Sequence, residues 1–278
     1  MLNILNRIFA EHGVHWDVSI TQQYGDGEKH ARAALDAGAD LIASYGGDGT
    51  ALDVAHGMVD SDVPLAVLPG GTANALAQEL GIPLDLEEAA RLIFDSDVVT
   101  IDVGQGAEGY FLLRADMGAT TKIMEGASRD MKDRYGVLAY IMSVFQSATE
   151  ADLIRFTLTL DGEQTEVEGI ACLVANANKI GTLELTLSPE VSMTDGVLDV
   201  FIFNSVAESL LSAAAEVIRR QEGTATTLQH WQVREITIEA SPPQMVNADG
   251  EPFGETPVTI SVAPKAMRVL VPRLSQNT

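Results

Sequence analysis

Hydrophobic positions in the first third of the chain form two alternating patterns. Short apolar runs typical of buried strands are separated by segments in which apolar residues recur at helical spacing. Strands and helices in alternation predict a parallel sheet with helices covering both faces. The predicted strands are 14–20, 41–45 and 64–69, and the predicted helices are 28–38, 50–59, 72–81 and a further one from Asp85.

Particular residues mark where two of these helices begin and end. Thr50, with Asp53 three residues later, has the spacing of a helix cap and predicts a helix start. Gly81 followed by Pro83 predicts the end of the helix over 72–81.

Beyond about residue 97 the pattern changes to strand-like runs joined by hairpin-type turns, with long helices predicted around 127–149 and 206–220. We therefore predict an α/β first domain over 1–97 and a largely antiparallel second domain, a β-sandwich, over 98–263. The predicted strands of the second part are 97–104, 109–118, 153–176, 183–189, 196–203, 232–240, 256–262 and 266–272.

Charge and composition narrow the classes of partner. The formal net charge of −23 opposes the phosphates of nucleic acids, so we expect no nucleic-acid partner, and it also disfavours passive adhesion to anionic lipid. The single cysteine, Cys172, lies in an apolar run and is expected to be buried and inert. No segment has the roughly 20 apolar residues of a membrane span, and no signal-peptide pattern is visible, so we expect a cytoplasmic protein.

Two glycine-rich loops carry the first candidate chemistry. "YGGDGT" (45–50) and "LPGGTANAL" (68–76) each follow a predicted strand and lead into a predicted helix, so both belong at the carboxyl edge of one sheet. Their backbone N–H groups, with Thr50, Thr72 and Asn74, are suited to hold a polyphosphate. Asp48 would repel a bare phosphate, so it serves either the turn alone or a cation or proton beside a phosphate.

The tripeptide DGE occurs at 26–28, 161–163 and 249–251, and Asp-Gly is itself a favoured hairpin turn. We predict a helix start for the first copy and a hairpin turn for the second. For the third copy a turn is favoured, while a pair of functional carboxylates, Asp249 and Glu251, stays open. "GQGAEG" (104–109) precedes a strand rather than a helix, and is predicted to be a plain hairpin loop.

The chain resembles the diacylglycerol kinase and sphingosine kinase superfamily of lipid kinases, particularly its bacterial members. The resemblance rests on five segments in the same order and covers nearly the whole chain. They are "YGGDGTALDVAHG", "LPGGTANALAQELGIP", "DRYGVLAYI" (133–141), "SPEVSMTDGVLDVFIF" (188–203) and "NADGEPFGETPVTISVAPKAMRVLVP" (247–272).

The resemblance implies a Rossmann-like nucleotide-binding domain and a lipid-substrate β-sandwich, with the active site between them and the C-terminal segment 264–278 rejoining the first domain. It implies ATP and Mg²⁺ as cofactors. In the second domain it implies a structural magnesium loop formed by the Asp195 side chain and the carbonyls of Ser192 and Val197. It makes Glu251 or Asp249 the catalytic base. Because a helix N-terminus supplies only about half a positive charge against the several negative charges of ATP, magnesium is needed, and Asp48 is placed to organise it, directly or through water. The implied nucleotide contacts are Gly46, Gly47, Asp48, Gly49, Thr50, Asp53, Gly71, Thr72, Asn74 and, more weakly, Thr21.

Two features depart from the family pattern. Family members normally begin with a strand and an Asn-Pro-x-Ser-Gly loop that helps to bind phosphate, whereas this sequence begins with an amphipathic segment carrying Leu2, Leu5 and Ile8. Ala75 stands where many bacterial diacylglycerol kinases have aspartate, and sphingosine-type members often have alanine. The first departure bears on ATP affinity, and the second favours a different lipid slightly.

The resulting hypothesis is phosphoryl transfer from Mg²⁺·ATP to a hydroxyl of diacylglycerol or a related lipid, a sphingoid base included. Transient contact with a membrane surface would then need a local basic patch. Arg129, Lys132 and Arg134 are candidates for it, and the alternative is that they form an ordinary solvated face. The sequence leaves a homodimer open. Two alternatives stand beside the hypothesis: a GGDGT-type kinase for a soluble substrate such as NAD, and a non-catalytic nucleotide-binding regulatory protein.

Overall fold

The fold combines five helices and sixteen strands within the residues that the computed structural model describes, which are 1–118, 153–180, 185–203 and 229–273. The helices are α1 (Leu2–Glu11), α2 (Asp26–Asp36), α3 (Asp48–His56), α4 (Ala75–Glu79) and α5 (Leu86–Leu92). The strands are β1 (Ile42–Gly46), β2 (Leu65–Pro69), β3 (Ser96–Gly106), β4 (Gly109–Phe111), β5 (Arg114–Gly118), β6 (Ile154–Leu160), β7 (Glu163–Gly169), β8 (Ala171–Ala175), β9 (Lys179–Ile180), β10 (Leu185–Thr186), β11 (Leu198–Phe203), β12 (Gln229–Val233), β13 (Glu235–Ser241), β14 (Met245–Ala248), β15 (Glu251–Glu255) and β16 (Val258–Pro272).

The amino-terminal part contains the parallel pairing that the alternating pattern predicts. β1 pairs with β2 in parallel, and β2 pairs in parallel with the far end of β16, where Val269 lies opposite Leu65. All five residues of β2 are buried, because helices and loops cover both of its faces. The core around it includes Leu5, Ile8 and Phe9 of α1, so the amphipathic segment at the start of the sequence is a helix whose apolar side packs into this core.

Two long strands run through both parts of the molecule and join them. β3 and β16 are antiparallel partners, and their register breaks between Ala263 and Met267, where β16 bulges. Asp102 of β3 lies at this bulge, fully buried, and its carboxylate accepts the backbone N–H of Lys265 at 2.7 Å. We call this region, β3 with β16 around Asp102, the strand junction.

The second part is a β-sandwich, as predicted. One sheet has the order β1-β2-β16-β13-β6-β7, with β3 paired to β16 and β4 paired to β3. The other sheet has the order β12-β11-β8-β5-β14-β15. Apart from β1, β2 and the end of β16 that pairs with β2, the described pairings within these two sheets are antiparallel. Phe156, Ile238 and Ile260 of the first sheet pack against Met117 and Val200 of the second in a dry core.

Two local predictions in the amino-terminal part are wrong. Residues 14–20 form no strand: Trp16 packs against Phe9 with ring centroids 5.2 Å apart, while Ile20 is 73% exposed, so the alternating apolar positions have no sheet to join. Thr50 does not begin a helix either. α3 starts two residues earlier, at Asp48, with Gly47 in the capping position.

Other local predictions are confirmed. Gly81, in the left-handed region at φ 70°, follows the end of α4, and Asp26 begins α2. Asp161 and Gly162 form the two-residue turn between β6 and β7, and "GQGAEG" contains the turn between β3 and β4. Cys172 is buried, and burial raises the pKa of its thiol to about 12.

Some predictions cannot be compared with the fold. The long helices around 127–149 and 206–220, the "DRYGVLAYI" segment and the basic residues Arg129, Lys132 and Arg134 lie outside the described residues, as does part of the predicted strand 183–189. Within the described ranges, no helix is long and apolar enough to cross a membrane.

Candidate active site

The two glycine-rich loops lie directly against each other at the carboxyl ends of β1 and β2. The N–H of Gly70 donates to the carbonyl of Gly46 at 2.8 Å. A Cβ on Gly71 would collide with the Cα of Gly47, so a side chain at this crossing would separate the loops. The prediction that the two loops share one edge of the sheet is therefore confirmed by their contact.

Asp48, the carboxylate within the first loop, also connects the two loops. It is the first residue of α3, and its Oδ1 accepts the backbone N–H of Leu76 in α4 at 3.0 Å. Its Oδ2 has no hydrogen bond in the part of the chain that the structure describes, and the residue is half-buried. One oxygen thus stabilises the loop pair, while the other has no hydrogen-bond partner among the described residues.

The polar residues predicted beside these loops differ in what they contact. Asn74 adopts φ 50°, and its amide accepts from the N–H of Gly71 at 2.8 Å and donates to the Gly71 carbonyl at 3.0 Å. Asn74 therefore closes the second loop from within. Thr72 and Thr21 are exposed, and the side chain of Thr50 packs over Gly46.

Asp53 has a clear structural partner. It is 4% exposed, and its two carboxylate oxygens accept the N–H groups of Gly25 and Gly27 at 3.0 and 2.8 Å. These donors lie at the start of α2, and Asp53 belongs to α3. Asp53 therefore links the two helices. Its assignment as a nucleotide contact stays a prediction, and both of its oxygens are already engaged.

The third DGE tripeptide forms a hairpin turn, and its Glu251 lies beside the first glycine-rich loop. We call the space between this turn and the two glycine-rich loops the cleft. Asp249 and Gly250 both adopt positive φ in the hairpin between β14 and β15. The Asp249 carboxylate accepts the consecutive N–H groups of Leu112, Leu113 and Arg114, the shortest at 2.7 Å. Burial raises the pKa of Asp249 above its ordinary value, and the three backbone donors oppose that rise. Asp249 therefore fixes the turn to the segment before β5.

Glu251, two residues further on, has an exposed side chain directed at the first glycine loop. Its Oε1 lies 4.0 Å from the point that a Cβ on Gly49 would occupy. Since Gly49 lies in the first turn of α3, the carboxylate faces the helix N-terminus at which the two loops meet. The fold thus places Glu251 beside Gly49, the residue after Asp48, about 200 residues away in sequence.

The predicted magnesium loop lies against the strand junction. The N–H of Gly196 donates to Asp102 at 2.7 Å, and the N–H of Asp102 donates to the Met193 carbonyl at 2.6 Å. Asp195 is exposed, and one of its oxygens accepts the N–H of Val197 at 3.1 Å. Burial raises the pKa of Asp195, and the nearby carboxylates of Asp199 and Asp102 add to that rise.

The oxygen atoms of this loop are ligands that a hard cation prefers, although the loop does not bring several metal-binding side chains together. Among the described residues, no group of three or more His, Cys, Asp or Glu side chains is arranged to hold a metal ion. One carboxylate with the carbonyls of Ser192 and Val197 is an oxygen-only set, which Mg²⁺ or Ca²⁺ accepts, and a cation there would relieve the mutual repulsion of the carboxylates. The residues present therefore fit the predicted ion.

The sequence did not single out two buried aspartates of the strands, Asp102 and Asp116. Asp102 and Asp116 lie in strand-like runs that read as plain core, and neither is in a motif with recognisable spacing. Only the rarity of a carboxylate in an apolar strand singles them out.

Both parts of the chain match known protein families. Residues 1–106 match the diacylglycerol kinase catalytic domain, and residues 116–271 match the YegS C-terminal NAD kinase beta sandwich-like domain. The chain belongs to this diacylglycerol kinase and YegS-like family.

Individual relatives support the same assignment. The chain is 30% identical over 264 residues to the "Probable lipid kinase YegS-like" of Pseudomonas aeruginosa, covering 94% of this chain and 86% of that protein. It is 31% identical to an uncharacterized Synechocystis protein, of which it spans only 61% of the length while covering 92% of its own. The crystal structure of a diacylglycerol kinase from Bacillus anthracis is 25% identical, with a TM-score of 0.76 over 98% of this chain and 90% of that one.

Proposed function

We propose that the protein is an ATP-dependent lipid kinase that phosphorylates a hydroxyl of diacylglycerol or a related lipid, a sphingoid base included. The observation that carries the proposal is the placement of the Glu251 carboxylate against Gly49, in the loop whose N–H groups are suited to phosphates. A hydroxyl held between them would have a proton acceptor on one side and a phosphoryl donor on the other.

The nucleotide's phosphates would lie across the paired loops. Gly46, Gly47, Gly49 and Gly71 would offer their backbone to the phosphates, and the exposed residue Thr72 follows Gly71 at the same crossing. The N-terminus of α3 supplies about half a positive charge. That is small beside the charge of ATP, and the protein itself carries a formal net charge of −23.

A divalent cation is therefore part of the proposal. Mg²⁺ would neutralise charge that develops on the transferred phosphoryl group. Asp48 is the residue we assign to hold it, directly or through water, because its Oδ2 has no hydrogen bond within the described chain. Asp195, with the carbonyls of Ser192 and Val197, would hold a second, structural ion away from the cleft.

The two carboxylates of the DGE turn have different roles in this proposal. Asp249 is held by three backbone N–H groups and keeps the turn in place. Glu251 is exposed and is the proposed general base. A base of this kind contributes roughly a hundred- to ten-thousand-fold in rate.

The lipid acceptor implies transient contact with a membrane surface. The relatives from Pseudomonas aeruginosa and Bacillus anthracis, which are named as a lipid kinase and a diacylglycerol kinase, favour a lipid over a soluble acceptor.

One assay tests the proposal against its alternatives. Purified protein is incubated with labelled ATP, Mg²⁺ and, separately, diacylglycerol, sphingosine, other lipids dispersed in detergent, and NAD. The expected result is a labelled lipid and no labelled NAD. Labelled NAD alone would replace the lipid kinase with a kinase for a soluble substrate. ATP binding without product on any acceptor would support a regulatory nucleotide-binding protein.

A further inference from the structure

His56, the last residue of α3, links this helix to β4. Its ring nitrogen Nε2 lies 2.9 Å from the carbonyl oxygen of Tyr110. Because a carbonyl oxygen only accepts, Nε2 carries a hydrogen and donates it. The imidazole also lies over the start of β4, with its Cε1 3.7 Å from the position that a Cβ on Gly109 would occupy. The half-buried His56 is therefore held against β4 by a hydrogen bond and by packing.

This contact lies at the opposite end of α3 from the first glycine loop. α3 has nine residues, so its first and last residues are about 12 Å apart along the helix axis. Gly49, in its first turn, faces the carboxylate of Glu251. The helix thus runs from the proposed phosphate site to β4.

β4 leads directly to the residues that hold Asp249. It ends at Phe111, and the next three residues, 112–114, donate their backbone N–H groups to the Asp249 carboxylate. Asp249 precedes Glu251 by two residues. The contacts therefore form a closed path, from Glu251 through Asp249 and β4 to His56, and along α3 back to Gly49 beside Glu251. A shift of β4 relative to α3 changes the position of Glu251 relative to Gly49.

Other contacts at this end of α3 do not replace the hydrogen bond of His56. The backbone N–H of Asp60 donates to the carbonyl of Ala266 at 2.8 Å, which attaches the turn after α3 to β16 rather than to β4. Apolar residues of α3 share a core with Leu112 and Leu113, but apolar packing is not directional. Among the described residues, His56 makes the one side-chain hydrogen bond between α3 and the second part of the molecule.

We propose that His56 is a positioning residue for phosphoryl transfer: by holding β4 against the end of α3, it sets the distance between Glu251 and the phosphates at the N-terminus of the same helix. The inference rests on the proposed function and adds a residue that contacts neither the nucleotide nor the acceptor. A displacement of about 1 Å at a reacting centre costs about a hundred-fold in rate, and loss of one anchor beside an intact core should cost on the order of ten-fold.

Two substitutions of His56 form a matched pair. The amide nitrogen of glutamine lies about where Nε2 of histidine lies, so His56→Gln keeps a donor for the Tyr110 carbonyl. The asparagine side chain is one carbon shorter, so His56→Asn loses this donor while it also replaces the ring with an amide. His15→Asn, at an exposed histidine, is the control for loss of an imidazole elsewhere.

The kinetic test measures kcat and the KM for ATP with the lipid that the wild type phosphorylates. We expect kcat to fall about ten-fold in His56→Asn and to stay within about two-fold of wild type in His56→Gln and His15→Asn. The KM for ATP should be unchanged in all three, because the glycine loops are intact. An unchanged kcat in His56→Asn, or an equal fall in His56→Gln, would overturn the proposal.

A double-mutant cycle tests whether His56 acts through Glu251. In a Glu251→Gln background the placement of the base no longer matters, so adding His56→Asn should lower kcat by less than about two-fold. A further fall of about ten-fold in that background would show that His56 acts elsewhere and would refute the positioning role.

Hydrogen exchange separates this inference from the proposed function, because it requires no turnover. The backbone N–H groups of residues 112–114 should exchange about ten-fold faster in His56→Asn than in wild type, and at the wild-type rate in His56→Gln. Unchanged protection in His56→Asn would refute the positioning role even in an active kinase. Faster exchange in a protein that transfers no phosphate to any acceptor would support the anchor and refute the kinase. If His56→Asn does not fold, His56→Ser is used with the same criteria.

Discussion

The carboxylates of the strand junction and those of the cleft differ in burial and in hydrogen bonding. At the junction, Asp102 is fully buried, and its two oxygens accept the N–H groups of Lys265 and Gly196. In the cleft, Asp48 keeps one oxygen without a hydrogen bond in the described chain, and Glu251 is exposed.

The difference separates carboxylates that stabilise the fold from carboxylates available for chemistry. A buried carboxylate whose two oxygens accept backbone N–H groups organises the main chain and is out of reach of a ligand. We propose that a carboxylate that is not fully buried and keeps one oxygen without a donor can bind a cation or accept a proton. Substitutions at the junction should therefore reduce stability, and substitutions in the cleft should reduce activity.

The largest expected effect is on activity, at Asp48. Asp48→Asn keeps an acceptor for the N–H of Leu76 but removes the charge assigned to magnesium. We expect turnover to fall at least about a hundred-fold, the cost typical of losing one electrostatic stabiliser, with an unchanged melting temperature. Lipid phosphorylation at ordinary magnesium concentration measures it, with the exposed Asp40→Asn as the control. Full activity would refute the metal role.

The next effect is on stability, at Asp102. Asp102→Ala leaves two partly buried N–H groups without an acceptor, at up to about 1–3 kcal/mol each, so we expect a loss of about 2 kcal/mol in the free energy of unfolding. Chemical denaturation measures this loss. Asp97→Ala on the same strand, whose side chain is 61% exposed beside Arg273, should cost under about 0.5 kcal/mol. Equal losses in the free energy of unfolding for Asp102→Ala and Asp97→Ala would contradict the structural role assigned to the junction carboxylate.

A smaller effect concerns pH and Asp116. Its pKa is raised from 3.8 to about 6 in the folded protein, so the folded state binds a proton more tightly than the unfolded chain does. The contribution of this group to stability is therefore present below about pH 4 and lost as the pH rises through about 6. We expect wild type to lose on the order of 2 kcal/mol relative to Asp116→Asn between pH 4 and pH 7.

Denaturation of both proteins at the two pH values gives this difference directly, because the other titrating groups are common to both. A difference that does not change with pH would show that the pKa of Asp116 is not raised in the folded protein. Its carboxylate would then have a hydrogen-bond or charge partner in solution.

Much of the fold is readable from the sequence because local patterns and long-range packing agree. Buried runs such as β2 and hairpin turns such as Asp161-Gly162 are determined by a few neighbouring residues. The failure at 14–20 has the opposite cause: alternation predicts a strand only where a partner strand is available, and among the described residues none pairs with this segment. Local pattern carries no information about a missing partner.

The site was partly readable for the same reason. The glycine loops and the DGE turn are contiguous, so their residues could be named from the sequence. Asp53 and Asp102 acquire their roles only through contacts with distant segments, such as the N–H groups of Gly25 and Gly27 on α2 or of Lys265 on β16. Spacing could not distinguish Asp249 from Glu251 either, whereas the three backbone donors at Asp249 do.

The central claim is that Glu251 performs chemistry while Asp249, two residues away, holds the turn. The most direct test is the single-turnover rate of phosphoryl transfer at saturating ATP, measured together with the melting temperature, for Glu251→Gln and Asp249→Asn. The account predicts a rate at least about a hundred-fold lower for Glu251→Gln at an unchanged melting temperature, and a lowered melting temperature for Asp249→Asn. A wild-type rate for Glu251→Gln would contradict it.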